Sequence, residues 1–222
     1  MRKSRRKRRN KKKFWYKRAF IIGVFGVVIF LSGSKRPIER VMEKTVATTE
    51  TQMGNVEIVE RFLRVNEYSR PGYELEEVNG IVIHYTGNPG TTAEANRNYF
   101  QSLAYDQTTY ASAHFVVGLE GEIIQCIPLD EQAFASRGRN ADTIGIEVCH
   151  PDAEGEFNSI TYGAVVELTA ELCRMYGLTE EDVMRHYEVT GKICPRYYVE
   201  NEDAWQILKD DIGSKLQEIT EG

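Results

Sequence analysis

Hydrophobic positions along the chain follow two different patterns. Residues 19–31 form an uninterrupted apolar run. From residue 78 onward, short β-branched runs alternate with segments whose apolar residues recur every three or four positions. The first pattern is typical of a membrane segment, and the second is typical of strands interleaved with helices. The sequence therefore predicts an α/β domain with a central mixed β-sheet flanked by helices, preceded by an N-terminal membrane helix.

Four β-branched runs predict the core of the sheet. Residues 81–85 read Ile-Val-Ile-His-Tyr between Gly80 and Gly87, which indicates a buried strand. Residues 113–117 and 122–127 flank Gly-Leu-Glu-Gly, which predicts a hairpin. Residues 143–148 predict a further strand.

Helical spacing and capping residues predict the helices. Thr91 and Glu94 have the spacing of a capping box, which would open a helix ending near residue 103. Apolar positions at helical spacing predict a helix over residues 162–176, stopped by Gly177. Thr179 is expected to cap a short turn, residues 199–219 predict an amphipathic C-terminal helix, and residues 56–65 predict a short helix that leads into the domain.

Charge divides the chain into four predicted regions. Residues 1–18 hold 12 of the 28 Lys and Arg residues and no acidic residue, and we expect them to form a basic cytoplasmic leader. Residues 19–33 form a transmembrane anchor or signal segment, since a 13-residue apolar helix spans roughly 20 Å against a hydrocarbon core of about 30 Å. Residues 34–55 are polar and predict a stalk, and we expect residues 56–222 to form the main folded domain.

The basic leader predicts that everything after residue 31 lies outside the cell membrane. Either the apolar segment remains as a single-pass anchor, or cleavage near Ser34 releases a secreted protein. We favour the anchor, because the leader is long and Lys35-Arg36-Pro37 is a poor start after a cleavage site.

The charge balance also bears on partners. Outside the leader, 16 basic residues face 33 acidic ones, a net charge of about −17. A field of that sign repels phosphate backbones, so no nucleic-acid partner is expected for the domain. We expect a monomer that contacts the membrane through its N-terminal helix. Four cysteines without a CxxC pair do not make a disulfide framework, although Cys126 and Cys149 could pair outside the cell, and fully reduced core cysteines are the alternative.

Three side chains predict a metal site. His84 ends the buried strand, and His186 and Cys194 lie eight residues apart in Arg-His-Tyr-Glu-Val-Thr-Gly-Lys-Ile-Cys-Pro. Imidazole and thiolate are zinc ligands, and three protein ligands leave a fourth coordination position open, as catalytic sites do. From these residues alone, a hydrogen-bonded core histidine and a buried cysteine remain open alternatives.

Four ordered motifs add a family resemblance. The segments IVIHYTG, ASAHFVVGLEGEIIQCIP, TIGIEVCHPD and RHYEVTGKICP resemble the zinc-dependent N-acetylmuramoyl-L-alanine amidases. That family is related to phage T7 lysozyme and to animal peptidoglycan-recognition proteins. The likeness covers roughly residues 57–217 and is greatest to cell-wall amidases of Gram-positive bacteria. It implies the peptidoglycan-recognition/amidase fold and peptidoglycan as the substrate.

The resemblance also implies roles for five residues. It makes His84, His186 and Cys194 the ligands of one catalytic Zn²⁺. Glu147 matches the acidic residue that transfers protons, and Lys192 matches the position that faces the scissile carbonyl. The implied reaction is hydrolysis of the amide bond between N-acetylmuramic acid and L-alanine.

Further substrate contacts are expected at His114, Arg137, Arg139 and Asn140. Arginine grips carboxylates in a bidentate manner, so the two arginines suit the carboxylates of a peptide stem. His114 could instead be a strand residue bonded to its neighbours. The chain departs from many relatives at Phe134-Ala135, where they carry Trp-His.

Two other functions remain as alternatives. The first is a non-catalytic binding module, because animal relatives that lack the cysteine ligand bind peptidoglycan without cutting it. The other is a thiol hydrolase with Cys194 as nucleophile and His186 as base.

Overall fold

The computed structural model describes residues 48–222. Seven strands form one mixed sheet in the order β1-β2-β5-β4-β6-β3-β7. They are β1 (Thr49–Met53), β2 (Val56–Glu60), β3 (Ile81–Tyr85), β4 (Phe115–Val117), β5 (Ile123–Gln125), β6 (Ile144–Val148) and β7 (Val183–Arg185). The β1–β2 and β4–β5 pairs are antiparallel, and the remaining pairs are parallel.

Within residues 48–222, five α-helices accompany the sheet. They are α1 (Ala93–Asp106), α2 (Ser159–Tyr176), α3 (His186–Thr190), α4 (Arg196–Glu200) and α5 (Glu202–Glu221). Short 3₁₀ turns lie at Arg137–Arg139 and Glu180–Asp182. The predicted α/β class with a mixed sheet and flanking helices is thus confirmed.

The middle strands of the sheet, β4, β5 and β6, are buried on both faces. Phe115 and Val117 of β4 join the larger core cluster with residues of α2 and α5, such as Leu168 and Leu208. Val116, between them, joins a second cluster with Phe100 of α1. Alternation of side chains along a strand explains this division. Strand β3, which lies between the parallel strands β6 and β7, is buried at four consecutive positions, as expected for a parallel strand inside a sheet.

Capping residues fix the helix ends, with one change from the prediction. The side chain of Thr92, not Thr91, caps α1 by accepting a hydrogen bond from the Ala95 N–H at 3.2 Å. Thr91 Oγ1 instead donates to the Asn88 carbonyl at 2.7 Å. At the end of α2, Gly177 adopts a φ of 67°, which a residue without a Cβ adopts at low cost.

Two predictions at the start of the domain are wrong. The segment predicted as a helix over residues 56–65 begins with strand β2, which pairs with β5. Residues 49–53, assigned to the polar stalk of residues 34–55, form β1 and pair with β2 over all five positions. Gly54 makes the tight turn between them with a φ of 60°.

The predicted C-terminal helix over residues 199–219 is two helices. Asn201 separates α4 from α5 with φ −128° and ψ 86°, which is not helical. The break lets α4 stay close to the Cys194-Pro195 segment while α5 packs along α2.

The leader, the membrane segment and most of the predicted stalk lie outside the described residues. Within residues 48–222, no helix combines the length and apolar character needed to cross a membrane. All four cysteines fall in this range, and each is a free, buried thiol. The suggested Cys126–Cys149 disulfide is therefore wrong, and the alternative of reduced core cysteines is confirmed.

Candidate metal centre and active-site groove

The sheet brings the two predicted histidine ligands together. β3 and β7 run parallel, with Ile83 opposite Arg185. His84 directly follows Ile83, and His186 directly follows Arg185, so both histidines emerge at the same edge of the sheet. Cys194 follows the short helix α3, and the backbone N–H of Tyr187 donates to its carbonyl at 3.1 Å.

The three predicted ligands converge on one point. The Nδ1 atoms of His84 and His186 lie 3.1 Å apart, and Cys194 Sγ lies 3.9 Å from His84 Nδ1. All three ligand atoms lie within 4.8 Å of one another, and all three residues are buried. Across residues 48–222, no other group of His, Cys, Asp and Glu side chains is placed to share a metal ion.

The protonation states suit a metal ion. Burial, the neighbouring His186 and Lys192 hold the pKa of His84 well below its usual value. Burial, with Lys192 and Arg137, lowers the pKa of His186 to about 4. Burial and the nearby Glu147 raise the pKa of Cys194 to about 12. Two neutral imidazoles and a thiol that ionises only when a cation replaces its proton fit Zn²⁺.

Neighbouring groups orient these ligands. Ser136 Oγ, which is buried, lies 3.4 Å from His84 Nε2, so His84 turns Nδ1 toward the other ligands. A hydrogen bond to the second ring nitrogen fixes the tautomer of a metal-binding histidine. The buried Nε2 of His186 has no hydrogen-bond partner within residues 48–222.

Arg185 joins the segments that carry His186 and Cys194. Its guanidinium donates to Glu188 Oε1, at 2.7 Å from Nε, to the Tyr198 carbonyl at 2.6 Å, and to Glu202 Oε2 at 2.8 Å. It also lies 5.1 Å from the ring centroid of Trp205. The side chain therefore ties α3, α4 and α5 together next to the metal ligands.

Glu147 lies beside the metal centre. Its residue pairs with His84 across the parallel strands β6 and β3. Its Oε2 is enclosed and has no hydrogen-bond partner in the described part of the chain. Burial raises the pKa of Glu147 to about 8, although Lys192 acts to lower it. A carboxyl group that titrates near neutral pH can both accept and release a proton.

A groove of about 820 Å³ runs past this site. Glu147, His84 and His186 line it, together with the exposed Lys192. Two of the predicted substrate contacts, Arg137 and Asn140, also line it. Asn140 Oδ1 accepts a hydrogen bond from the Ser136 N–H at 2.6 Å, so it also holds the turn beside His84.

The other two predicted substrate contacts do not line the groove. His114 is fully buried, and its Nε2 lies 2.9 Å from the Glu131 carbonyl while its Nδ1 accepts from the Gly145 N–H at 3.0 Å. Arg139 forms an ion pair with Asp142 at 2.8 Å. The surroundings of His114 match the alternative given above, in which it is a strand residue hydrogen-bonded to its neighbours.

Sequence reasoning did not identify Ser136, Arg185 or Tyr110 as parts of the site. Arg185 had a usable signal, because it directly precedes a predicted ligand and Glu188 follows three residues later, at capping-box spacing. Ser136 lies next to His84, and Tyr110 lies in the groove wall, only because segments distant in the sequence pack together.

The chain matches one family model, described as N-acetylmuramoyl-L-alanine amidase, over residues 74–197. A probable N-acetylmuramoyl-L-alanine amidase of Bacillus licheniformis is 37% identical over 173 residues, which cover 72% of this chain and 48% of the relative. A second amidase of that organism, CwlL, is 34% identical over 174 residues, with coverage of 72% and 48%. The chain thus spans about half the length of these curated relatives.

Solved structures share the fold. The catalytic domain of XlyA superposes with a TM-score of 0.61 at 31% identity, covering 71% of this chain and 100% of that one. A mutant endolysin from Bacillus subtilis gives a TM-score of 0.60 at 31% identity, with coverage of 71% and 99%.

Proposed function

Because the chain belongs to the N-acetylmuramoyl-L-alanine amidase family, we propose that it hydrolyses the amide bond between N-acetylmuramic acid and L-alanine in peptidoglycan with the help of one zinc ion. The observation that carries the proposal is the convergence of His84, His186 and Cys194 within 4.8 Å. Glu147 lies beside them in the wall of one groove.

The donor set defines what a zinc ion would do here. Two imidazole nitrogens and a thiolate would hold it, which leaves room for one further ligand. A zinc ion supplies a Lewis acid that polarises the amide carbonyl and lowers the pKa of a water molecule. The protein keeps both imidazoles neutral and aims their Nδ1 atoms at one point, so the site is prepared for the ion.

Glu147 provides the proton transfers. Its enclosed Oε2 accepts a proton from the attacking water and returns it to the nitrogen of the departing L-alanine. The carboxyl ends the cycle in the protonation state in which it began. Its pKa of about 8 places both forms within reach at neutral pH.

Lys192 stabilises the charge that develops on the carbonyl oxygen. It follows α3, is exposed to the groove, and lies close enough to lower the pKa of both ligand histidines. An ammonium group that points at a developing oxyanion contributes more to the transition state than to the ground state.

The site of action follows from the N-terminal sequence. Residues 1–18 are strongly basic and residues 19–31 are apolar, which supports export of the domain on a membrane anchor or after cleavage near Ser34. Peptidoglycan lies outside the membrane, so export and substrate agree.

Cys194 is poorly placed to act as a thiol nucleophile. Its side chain is buried and does not line the groove. Its raised pKa leaves almost no thiolate at neutral pH without a cation. These features favour a metal ligand over a thiol hydrolase.

One experiment tests the proposal. The full chain is incubated with purified peptidoglycan, and the fragments are identified by mass spectrometry with chelator, without chelator, and after zinc is restored. We expect new L-alanine amino termini and free lactyl carboxylates that appear only with metal. Stoichiometric zinc without any cleaved bond would replace the proposal with a peptidoglycan-binding module, and cleavage unaffected by chelator would refute the metal mechanism.

A further inference from the structure

Three aromatic side chains form a platform at the groove, apart from the predicted ligands. Tyr68 and Tyr110 stack with ring centroids 4.9 Å apart and an interplanar angle of 21°. Phe134 meets Tyr110 edge-on, with centroids 5.6 Å apart. Tyr110 and Phe134 line the groove. We call Tyr68, Tyr110 and Phe134 the aromatic platform.

Backbone hydrogen bonds hold the aromatic platform in place. The N–H of Ala111 donates to the Tyr68 carbonyl, and the N–H of Ser112 donates to the Phe134 carbonyl, both at 3.2 Å. In return, Ser112 Oγ accepts from the Phe134 N–H at 2.9 Å. The rings are therefore ordered before any ligand arrives, so binding costs little additional conformational entropy.

The platform combines an exposed ring with a polar acceptor. Tyr110 is 54% exposed although its ring is packed on two others. Its hydroxyl donates to Glu67 Oε1 at 3.2 Å, which leaves carboxylate lone pairs free at the ring edge. A rigid apolar face beside a carboxylate suits a sugar ring, whose C–H groups form one face and whose hydroxyls point outward.

The platform adjoins the point where a substrate would be cut. Phe134 lies two residues before Ser136, whose Oγ is 3.4 Å from the ligand His84. Two extended residues span at most about 7 Å. A sugar that neighbours the cleaved unit along the glycan strand therefore reaches the platform while the scissile amide lies at the candidate metal centre.

We propose that the aromatic platform binds a sugar ring of the glycan strand, stacked on Tyr110, with Glu67 accepting a hydrogen bond from a sugar hydroxyl. This rests on the proposed function, since the glycan is part of its substrate. The platform makes the enzyme prefer stems that are still attached to a polysaccharide over isolated muramoyl peptides.

A binding experiment tests the platform without catalysis. Peptide-free glycan strands, which lack the scissile amide, are titrated into the full chain and followed by calorimetry. We expect Tyr110→Ala to weaken binding about tenfold, as the loss of an aromatic contact does. Tyr110→Trp should restore binding, because it keeps a stacking face and so separates this role from a folding defect. Tyr105→Ala is the matched control, since Tyr105 is 66% exposed and lies outside the groove wall.

A kinetic comparison adds a second readout. With wild-type chain, KM should be lower for stems on glycan strands than for a single N-acetylmuramoyl peptide. Tyr110→Ala should raise KM on strands about tenfold and leave the small substrate unchanged. If Tyr110→Ala bound glycan strands and cleaved them with the same KM as wild type, the platform proposal would be wrong. The proposed amidase function would stand, because the amide would still be cleaved. If even the wild-type protein did not cleave peptidoglycan, the proposed function would fail. The glycan titration would then still test whether the platform binds sugar.

Discussion

In the proposed mechanism the carboxyl of Glu147 transfers the proton, so exchanging a single atom of this side chain tests its role. Replacing one oxygen by nitrogen in Glu147→Gln keeps the size of the side chain but removes its ability to accept a proton. We expect hydrolysis of peptidoglycan to fall by at least about 100-fold. Zinc content should stay at one ion per chain, because the three ligands are untouched. Residual activity within a few-fold of wild type, measured with full zinc loading, would show that another group moves the proton.

The buried imidazole of His114 is expected to affect the stability of the folded domain. Burial lowers the pKa of His114 to about 4, although the Glu131 carbonyl acts to raise it. Since Nδ1 accepts from the Gly145 N–H, a proton there would face another donor. A lowered folded-state pKa stabilises the fold above the unfolded value of about 6.5, and that stability is lost as the pH falls toward 4.

This residue therefore predicts a specific acid sensitivity. Between pH 6.5 and 4, protonation of His114 in the unfolded chain should lower the free energy of unfolding by about 3 kcal/mol. His114→Gln should be less stable at pH 7 and should lose less stability on acidification. Denaturant unfolding of both chains in chelator across this range measures the difference. Parallel pH profiles for the two chains would show that His114 is not the group responsible.

The convergence of the three predicted ligands could be expected from the sequence, while their surroundings could not. His84, His186 and Cys194 lie in local motifs that indicate a ligand set. The partners of His114 come from Gly145 and Glu131, which lie 31 and 17 residues away along the chain. No local pattern marks such pairs, because they depend on how strands align.

At the scale of elements, strand pairing determined the structure of a segment whose hydrophobic pattern was compatible with either a helix or a strand. The segment Val56–Glu60 has apolar residues at 56, 58 and 59, and Phe62 and Leu63 extend the pattern at helical spacing. Strand β2 forms because it pairs with β1 on one side and β5 on the other. The Gly54-Asn55 pair, a two-residue loop typical of hairpins, was the usable signal for both strands.

The junction of α3, α4 and α5 depends on Arg185. Arg185→Lys keeps the charge but cannot serve Glu188, Tyr198 and Glu202 together. Because these bonds position His186 relative to Cys194, we expect zinc affinity to fall about 10–100-fold. Competition with a zinc chelator well below the melting temperature measures it.

A matched control separates positioning from simple destabilisation. Arg174 on α2 pairs with Glu171 at 2.8 Å and lies outside the groove wall, so Arg174→Lys should leave zinc affinity unchanged. If Arg185→Lys lowered the melting temperature while zinc affinity stayed at the wild-type value, Arg185 would be a structural residue only.

For the whole molecule, the candidate metal site joins parts of the chain that are far apart in sequence. His84 lies on β3, the strand next to the edge strand β7, and His186 and Cys194 follow 102 and 110 residues later. An ion held by all three therefore cross-links β3 to the C-terminal part of the domain. Because the unfolded chain cannot present this arrangement, zinc binding adds directly to the free energy of unfolding.

This linkage predicts a large thermal effect of metal removal. Zinc at 100 times its dissociation constant should stabilise the chain by about 2.7 kcal/mol, which raises the melting temperature of a domain of this size by roughly 5–10 °C. Calorimetric scans of the full chain with zinc and with chelator measure the shift. Cys194→Ser should retain only a small part of it, because the thiolate is gone while the buried position keeps a similar size. An equal shift in wild type and Cys194→Ser would mean that zinc stabilises the protein elsewhere, and the absence of any shift would argue against a bound ion.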